Sequence, residues 1–110
     1  MIMRVDEIFT LLEKKYFAYE CPSIGCAVHY RKDLLQNFYI DFSFKGSTCL
    51  IELYEKKNSP REDLRYFASD YWINEEAFKK NLKDTIEEYI VCAKNVIQQI
   101  KLNSIKEDFR

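Results

Sequence analysis

The sequence predicts an α+β fold, a two-layer sandwich in which a three-stranded antiparallel meander packs against an N-terminal helix and a long C-terminal helix, in the order α-β-β-β-α-α. Three patterns indicate this: strict apolar alternation over 36–44, apolar residues at three- and four-residue steps near the N-terminus, and an apolar stripe from Glu75 to about Lys101. The length of 110 residues and the 47% hydrophobic content predict a single domain spanning 1–110. Residues 103–110 are predicted to be a frayed tail.

The first predicted element is an amphipathic helix over residues 5–19. Asp6 and Glu7 near its start and Lys14 and Lys15 near its end suit the helix dipole. The segment Cys21-Pro22-Ser23 is expected to end it, because proline disfavours a helical residue before it. The apolar positions that would share one face are Val5, Ile8, Phe9, Leu12, Tyr16 and Tyr19.

The clearest strand is 36–44, and Lys45-Gly46 is its predicted two-residue hairpin turn. A third strand is predicted over 24–31, followed by a loop from Lys32 to Gln36. The turn sets Phe44 opposite Ser47, Phe42 opposite Cys49, Ile40 opposite Ile51 and Phe38 opposite Leu53. Matching apolar residues sets Tyr30 opposite Phe38, Val28 opposite Ile40 and Cys26 opposite Phe42, which places Cys26 about 9–10 Å from Cys49, too far for a disulfide.

Two more helices are predicted after the meander. Ser59 as N-cap, Pro60 at the first helical position and Glu62 form a capping pattern. The apolar side of this short helix would hold Leu64, Phe67, Ala68 and Tyr71, and an extended conformation over 64–73 is the alternative. Asn74 then caps the long helix, whose apolar positions are Phe78, Leu82, Ile86, Tyr89, Ala93, Val96, Ile97 and Ile100.

The second face of the sheet carries the candidate functional residues. The predicted rows are His29, Tyr39 and Glu52, then Arg31, Asn37 and Tyr54, with Asp41 in the row of Ala27 and Leu50. One interpretation is that the 61–73 segment folds over this face and buries its tyrosines. The other is an exposed protein-binding face, because tyrosine is enriched in interfaces. The residues assigned to protein binding are His29, Arg31, Tyr39, Asp41, Glu52 and Tyr54.

Catalytic, metal and cofactor sites are not predicted. Cys26 and His29 are three residues apart and would point to opposite faces of a strand. With Cys21 they form C-x4-C-x2-H, which matches no common zinc framework. Two glycines in the whole chain disfavour phosphate-cradling loops, and no P-loop, nucleophile-elbow or zinc-protease motif occurs. We therefore expect no cofactor and no enzyme activity.

The expected location is the cytoplasm. The charged N-terminus is unlike a secretory signal, and no apolar run approaches the roughly 20 residues of a membrane span. The four cysteines are accordingly expected to be free thiols.

Three functional hypotheses follow. The first is a small protein-binding inhibitor or neutraliser, like toxin-neutralising immunity proteins or anti-defence proteins, that uses Tyr39 and Tyr54 as anchors and Asp41 and Glu52 against a basic partner surface. Replacing both tyrosines with alanine is expected to abolish binding without disturbing the fold.

The second hypothesis is a nucleic-acid binder. The element order resembles that of double-stranded RNA-binding domains, and sheet tyrosines can stack bases. The net charge of -1 and the acidic start of the long helix at Asn74-Glu75-Glu76 make nucleic acid the less favoured partner. The third hypothesis is a homodimer formed through the C-terminal helix around Val96, Ile97 and Ile100.

Overall fold

The computed structural model describes residues 4–25, 27–59 and 62–108, with backbone only at 23, 24 and 103–108. The elements in chain order are α1 (Val5–Lys14), β1 (Tyr19–Ile24), β2 (Ala27–Asp33), β3 (Phe38–Lys45), β4 (Thr48–Glu55), β5 (Leu64–Trp72) and α2 (Phe78–Asp108). The strands form one antiparallel sheet in the order β1-β2-β3-β4-β5. The α+β class is therefore confirmed, but the sheet has five strands rather than three.

The first helix is shorter than predicted. It ends at Lys14, because Phe17 takes a positive φ of 57° and the amide of Ala18 bonds back to the carbonyl of Leu12 at 2.9 Å. Tyr19, predicted to lie on the helix, begins β1 instead. The apolar face of α1 still packs on the sheet, since Ile8 and Leu12 are fully buried.

The β3–β4 hairpin is present, but its register differs from the prediction by two residues. Phe44 lies opposite Cys49, and Lys45 pairs with Thr48 across a Gly46-Ser47 loop. Gly46 has a φ of +60°, and a glycine at the first loop position with positive φ is what a type II′ turn requires. The predicted turn position at Lys45-Gly46 is therefore wrong by one residue.

The β2–β3 register also differs, by four residues. Tyr30 lies opposite Phe42 rather than Phe38, and Val28 lies opposite Phe44. The predicted pairing of Cys26 and its separation from Cys49 fall on a residue outside the described part of the chain. Both register differences are even numbers, so every residue keeps its predicted face of the sheet.

The predicted helix after the meander is wrong. Leu64–Trp72 is the edge strand β5, antiparallel to β4, and the proposed first helical residue Pro60 lies outside the described residues. The extended alternative for this segment is the correct one. Because β5 lies beside β4 within the sheet, it does not fold over the second face.

The helices cover one face of the sheet only. α2 begins at Phe78, three residues later than predicted, and continues to Asp108 through most of the segment predicted to be a frayed tail. Its inner side buries Phe78, Leu82 and Ile86 against the sheet. The fully buried sheet residues beneath the helices are Ile40, Phe42, Cys49, Ile51 and Leu53.

Within the described residues, no helix is long and apolar enough to cross a membrane.

Candidate functional site: the open face of the sheet

Among the described residues, none forms a helix over the second face of the sheet. We call it the open face, and it is formed by the side chains that alternate with the core residues on each strand. Of its residues, Tyr39 and Glu52 are buried, yet neither belongs to the apolar core cluster beneath the helices. Their burial therefore arises from side chains on this side of the sheet, to which the β4–β5 connection contributes Asp63 beside Tyr39. The residues of this face are Tyr19, Cys21, Ala27, His29, Arg31, Asp33, Tyr39, Asp41, Ser43, Lys45, Thr48, Leu50, Glu52, Tyr54, Arg65, Ala68, Asp70 and Trp72.

All six residues predicted to bind a protein lie on this face, but the cross-strand rows in which they lie are not the predicted ones. The registers place Arg31, Asp41 and Glu52 directly across from one another on β2, β3 and β4. Tyr39 lies across from Tyr54, and His29 lies across from Ser43. The predicted neighbours His29 and Tyr39 are thus not cross-strand partners, because the β2–β3 loop shifts the strands by four residues.

On β2, β3 and β4, the side chains of Arg31, Tyr39 and Tyr54 form a stack on the open face. The rings of Tyr39 and Tyr54 are nearly parallel, with centroids 5.3 Å apart. The guanidinium carbon of Arg31 lies 4.0 Å from the Tyr39 ring centroid, a cation–π contact. The Tyr39 hydroxyl donates a 2.6 Å hydrogen bond to Asp63, whose other oxygen accepts the amide of Lys57 at 3.0 Å.

This packing leaves Tyr39 only 5% exposed. Burial, together with the bond to Asp63, raises the pKa of its hydroxyl, so Tyr39 is a neutral donor at physiological pH. The expectation that Tyr39 is an exposed anchor is therefore wrong, because its side chain is buried. Its place is to hold Arg31 and Tyr54 in position.

A second group joins β4 to β5. Glu52 accepts hydrogen bonds from the Tyr54 hydroxyl and from an Arg65 Nη, both at 3.0 Å. Burial and the bond to Glu52 raise the pKa of Tyr54 to about 12. Glu52 is thus a satisfied buried carboxylate, while Arg65 keeps a side chain that is 58% exposed.

Asp41 and His29 form the third pair, with Nδ1 of His29 3.4 Å from Oδ2 of Asp41. Burial raises the pKa of the Asp41 carboxyl, against the lowering effect of His29. Cys21 was not predicted to lie on this face, but it lies across from His29. Burial raises the pKa of the Cys21 thiol, so it is protonated near neutrality and a poor nucleophile.

Metal-binding geometry is not found in the part of the chain that the structure describes, where no three His, Cys, Asp or Glu side chains are grouped to hold an ion. Cys21, Cys49 and Cys92 are free thiols, and Cys26 lies outside the described residues.

The charge of the open face is mixed rather than acidic. Asp33, Asp41, Glu52 and Asp70 are accompanied by the basic residues Arg31, Lys45 and Arg65. The β5 residues were missing from the predicted face because their segment was assigned to a helix. Of these, Trp72 is 57% exposed and lies across from Thr48, so it is the accessible aromatic side chain that sequence analysis did not place here.

The rest of the open face includes Leu50 of β4. Its row runs through His29, Ser43 and Leu50 to Asp70, and Ala68 lies in the adjacent row beside Glu52. Leu50 is half-buried although no helix covers it. An apolar side chain thus lies near the centre of a sheet face with a polar surround, the usual anatomy of a protein interface.

The chain matches no protein-family model, no curated protein and no solved structure.

Proposed function

We propose that this chain is a non-enzymatic protein-binding module that occludes a partner's surface with the open face of its sheet. The observation that carries the proposal is the combination of an uncovered sheet face with side chains already fixed in place. Arg31, Tyr39 and Tyr54 are stacked before any partner arrives, so little rotamer entropy remains to be lost on binding.

The residues that would contact a partner differ from those expected from the sequence. Tyr39 is a support, while the groups available to a partner are Tyr54, Leu50, the exposed part of Arg65, and Trp72. Tryptophan, tyrosine and arginine are the residue types that most often dominate binding energy. The mixed charges favour a partner with both signs on its surface, rather than a uniformly basic one.

An inhibitor or neutraliser of another protein is the role we favour, since occlusion needs only a rigid, complementary surface. A reducing compartment such as the cytoplasm suits the free thiols Cys21, Cys49 and Cys92. The four carboxylates on the open face would repel a phosphate backbone, which makes a nucleic acid the weaker candidate.

The test is affinity capture from an extract of the source cells with three forms of the chain. Leu50→Lys places a charge at the centre of the open face and should remove the partner. Val91→Lys makes the same chemical change at a 56% exposed position on α2, in the other layer, and should retain it. Circular dichroism checks that both variants are folded. A partner retained equally by both variants would show that the open face is not the binding surface.

A further inference from the structure

The two edges of the sheet are unequal. Edge strands expose backbone N–H and C=O groups and are usually blunted by proline, bulges or short length. β1 has six residues, contains Pro22 and has an irregularity between Cys21 and Ile24. β5 has nine residues and no proline, and no strand of the described chain pairs with its outer side.

The backbone of β5 presents regularly spaced groups to the outside. The amide of Ile73 donates to the carbonyl of Ser47 at 2.9 Å, so this residue directs its backbone toward the β4 side. Because backbone direction alternates along an antiparallel strand, the N–H and C=O groups of Trp72, Asp70 and Ala68 point away from β4. They are available to another strand.

The side chains of β5 are complementary to a second copy of the same strand. A bulge leaves Tyr66 without a partner on β4, so Phe67 and Arg65 oppose consecutive residues Leu53 and Tyr54. Because Tyr66 is the extra residue of the bulge, it is left out when positions along the strand are counted. Asp70 then lies two positions after Ala68, and Arg65 lies two positions before it. An antiparallel copy related by a two-fold axis at Ala68 therefore sets each Asp70 opposite the other copy's Arg65.

Neighbouring registers lose this match. An axis at Phe67 sets Asp70 opposite Asp63, which is repulsive, and an axis at Ser69 sets Asp70 opposite Ala68. A shift by an odd number of positions would join opposite faces of the two sheets. Within the described residues, the Asp70 carboxylate takes part in no salt bridge or hydrogen bond of its own chain.

We propose that β5 pairs with β5 of a second copy of this chain, making a continuous ten-stranded antiparallel sheet with two reciprocal Arg65–Asp70 pairs. The interface is isologous, as in most dimers. It also explains why Leu64 and Phe67, each 47% exposed, lie on an edge strand. In the Ala68 register, Leu64 of one copy lies beside Tyr71 of the other.

Sedimentation velocity at low salt, over about 1 to 500 µM, tests this arrangement. The wild type is expected to dimerise, and Asp70→Lys to weaken the dimer on the order of 10-fold by converting two attractive exposed pairs to repulsive ones. Glu87→Lys is the control. It makes the same charge change on α2, near Tyr16 and away from β5, and should leave the dimer intact.

The decisive measurement mixes two weakened variants. In a homodimer of Arg65→Glu, each new glutamate faces Asp70 of the other copy, which is repulsive. In a heterodimer of Arg65→Glu with Asp70→Lys, one pair joins the new glutamate to the new lysine and the other joins Asp70 to Arg65, so both pairs are attractive. Recovery to near the wild-type affinity supports the proposal, and a mixture no stronger than either variant alone overturns it.

The glutamate in Arg65→Glu would also repel Glu52 of its own chain and could destabilise the fold. A second variant therefore tests the same interface without this repulsion. Ala68→Lys sits across from Glu52, which favours the fold, and it sets two lysines against each other at the two-fold axis. Loss of the dimer in this variant supports the proposal. A wild type that is monomeric throughout, or a dimer that is unaffected by Ala68→Lys, overturns it; the latter would place the dimer contact elsewhere on the chain.

Discussion

The hydrogen bond between Tyr39 and Asp63 should contribute measurably to stability. Tyr39→Phe removes one hydroxyl and keeps the ring, and with it the stacking on Tyr54 and the Arg31 contact. The lost bond is short, at 2.6 Å, and its acceptor is a carboxylate. Bonds to charged groups contribute about 1.5–3 kcal/mol, and we expect about 1.5 kcal/mol because Asp63 is only partly buried.

Urea unfolding at pH 7 measures this loss. With a slope of about 1.5 kcal/mol/M for a chain of this size, the midpoint should fall by about 1 M. Tyr19→Phe is the matched control. It removes a hydroxyl from the same face whose bond to Asp33 is 3.1 Å and whose residue is 44% exposed, and its expected cost is about 0.5 kcal/mol or less.

A double-mutant cycle with Asp63→Ala separates the pair from the Lys57 amide bond that Asp63 also makes. A coupling energy of about 1 kcal/mol is expected. A cost of Tyr39→Phe no greater than that of Tyr19→Phe, or a cycle with no coupling energy, would show that the Tyr39–Asp63 bond does not stabilise the fold.

Two further changes test other parts of the structure. Because burial raises the pKa of the Asp41 carboxyl despite His29, its ionisation opposes folding at neutral pH. Asp41→Asn should therefore raise the urea midpoint at pH 7, and the gain should shrink as the pH falls through the raised pKa of Asp41 and be lost by about pH 4, near the pKa of an unfolded aspartate; a lower midpoint at pH 7 would show that the ion pair dominates. Gly46→Ala should cost about 1 kcal/mol in thermal or urea unfolding, since φ is +60°, and Gly46→Asn should cost less; unchanged stability in the alanine variant would contradict the turn geometry.

Sequence alternation predicts which face a strand residue occupies better than which residue lies across from it. The faces of Tyr39, Asp41 and Glu52 follow from a period of two and survive register differences of two and four residues. Their neighbours depend on loop geometry, such as the positive φ of Gly46, which local composition only weakly specifies. This is why six residues were assigned to the right face but to the wrong rows.

The misassigned strand has a physical explanation in its bulge. In β5, Leu64, Phe67 and Tyr71 are separated by three and four residues, the spacing typical of a helix face. The extra residue at Tyr66 interrupts the two-residue period, so residues 64, 67 and 71 all fall on the core side of a strand. The burial of Tyr39 could not be predicted from the strand pattern either, because Asp63 contacts it from the β4–β5 connection.

The sheet order also bears on how the chain folds. Each strand pairs with its neighbour in sequence, and the connections after β2, β3 and β4 span residues 34–37, 46–47 and 56–63. Short connections carry a small closure entropy, and local pairing speeds folding relative to sheets with crossovers. The hairpins can therefore form in succession from their own turns, and only the docking of α1 and α2 must join distant parts of the chain.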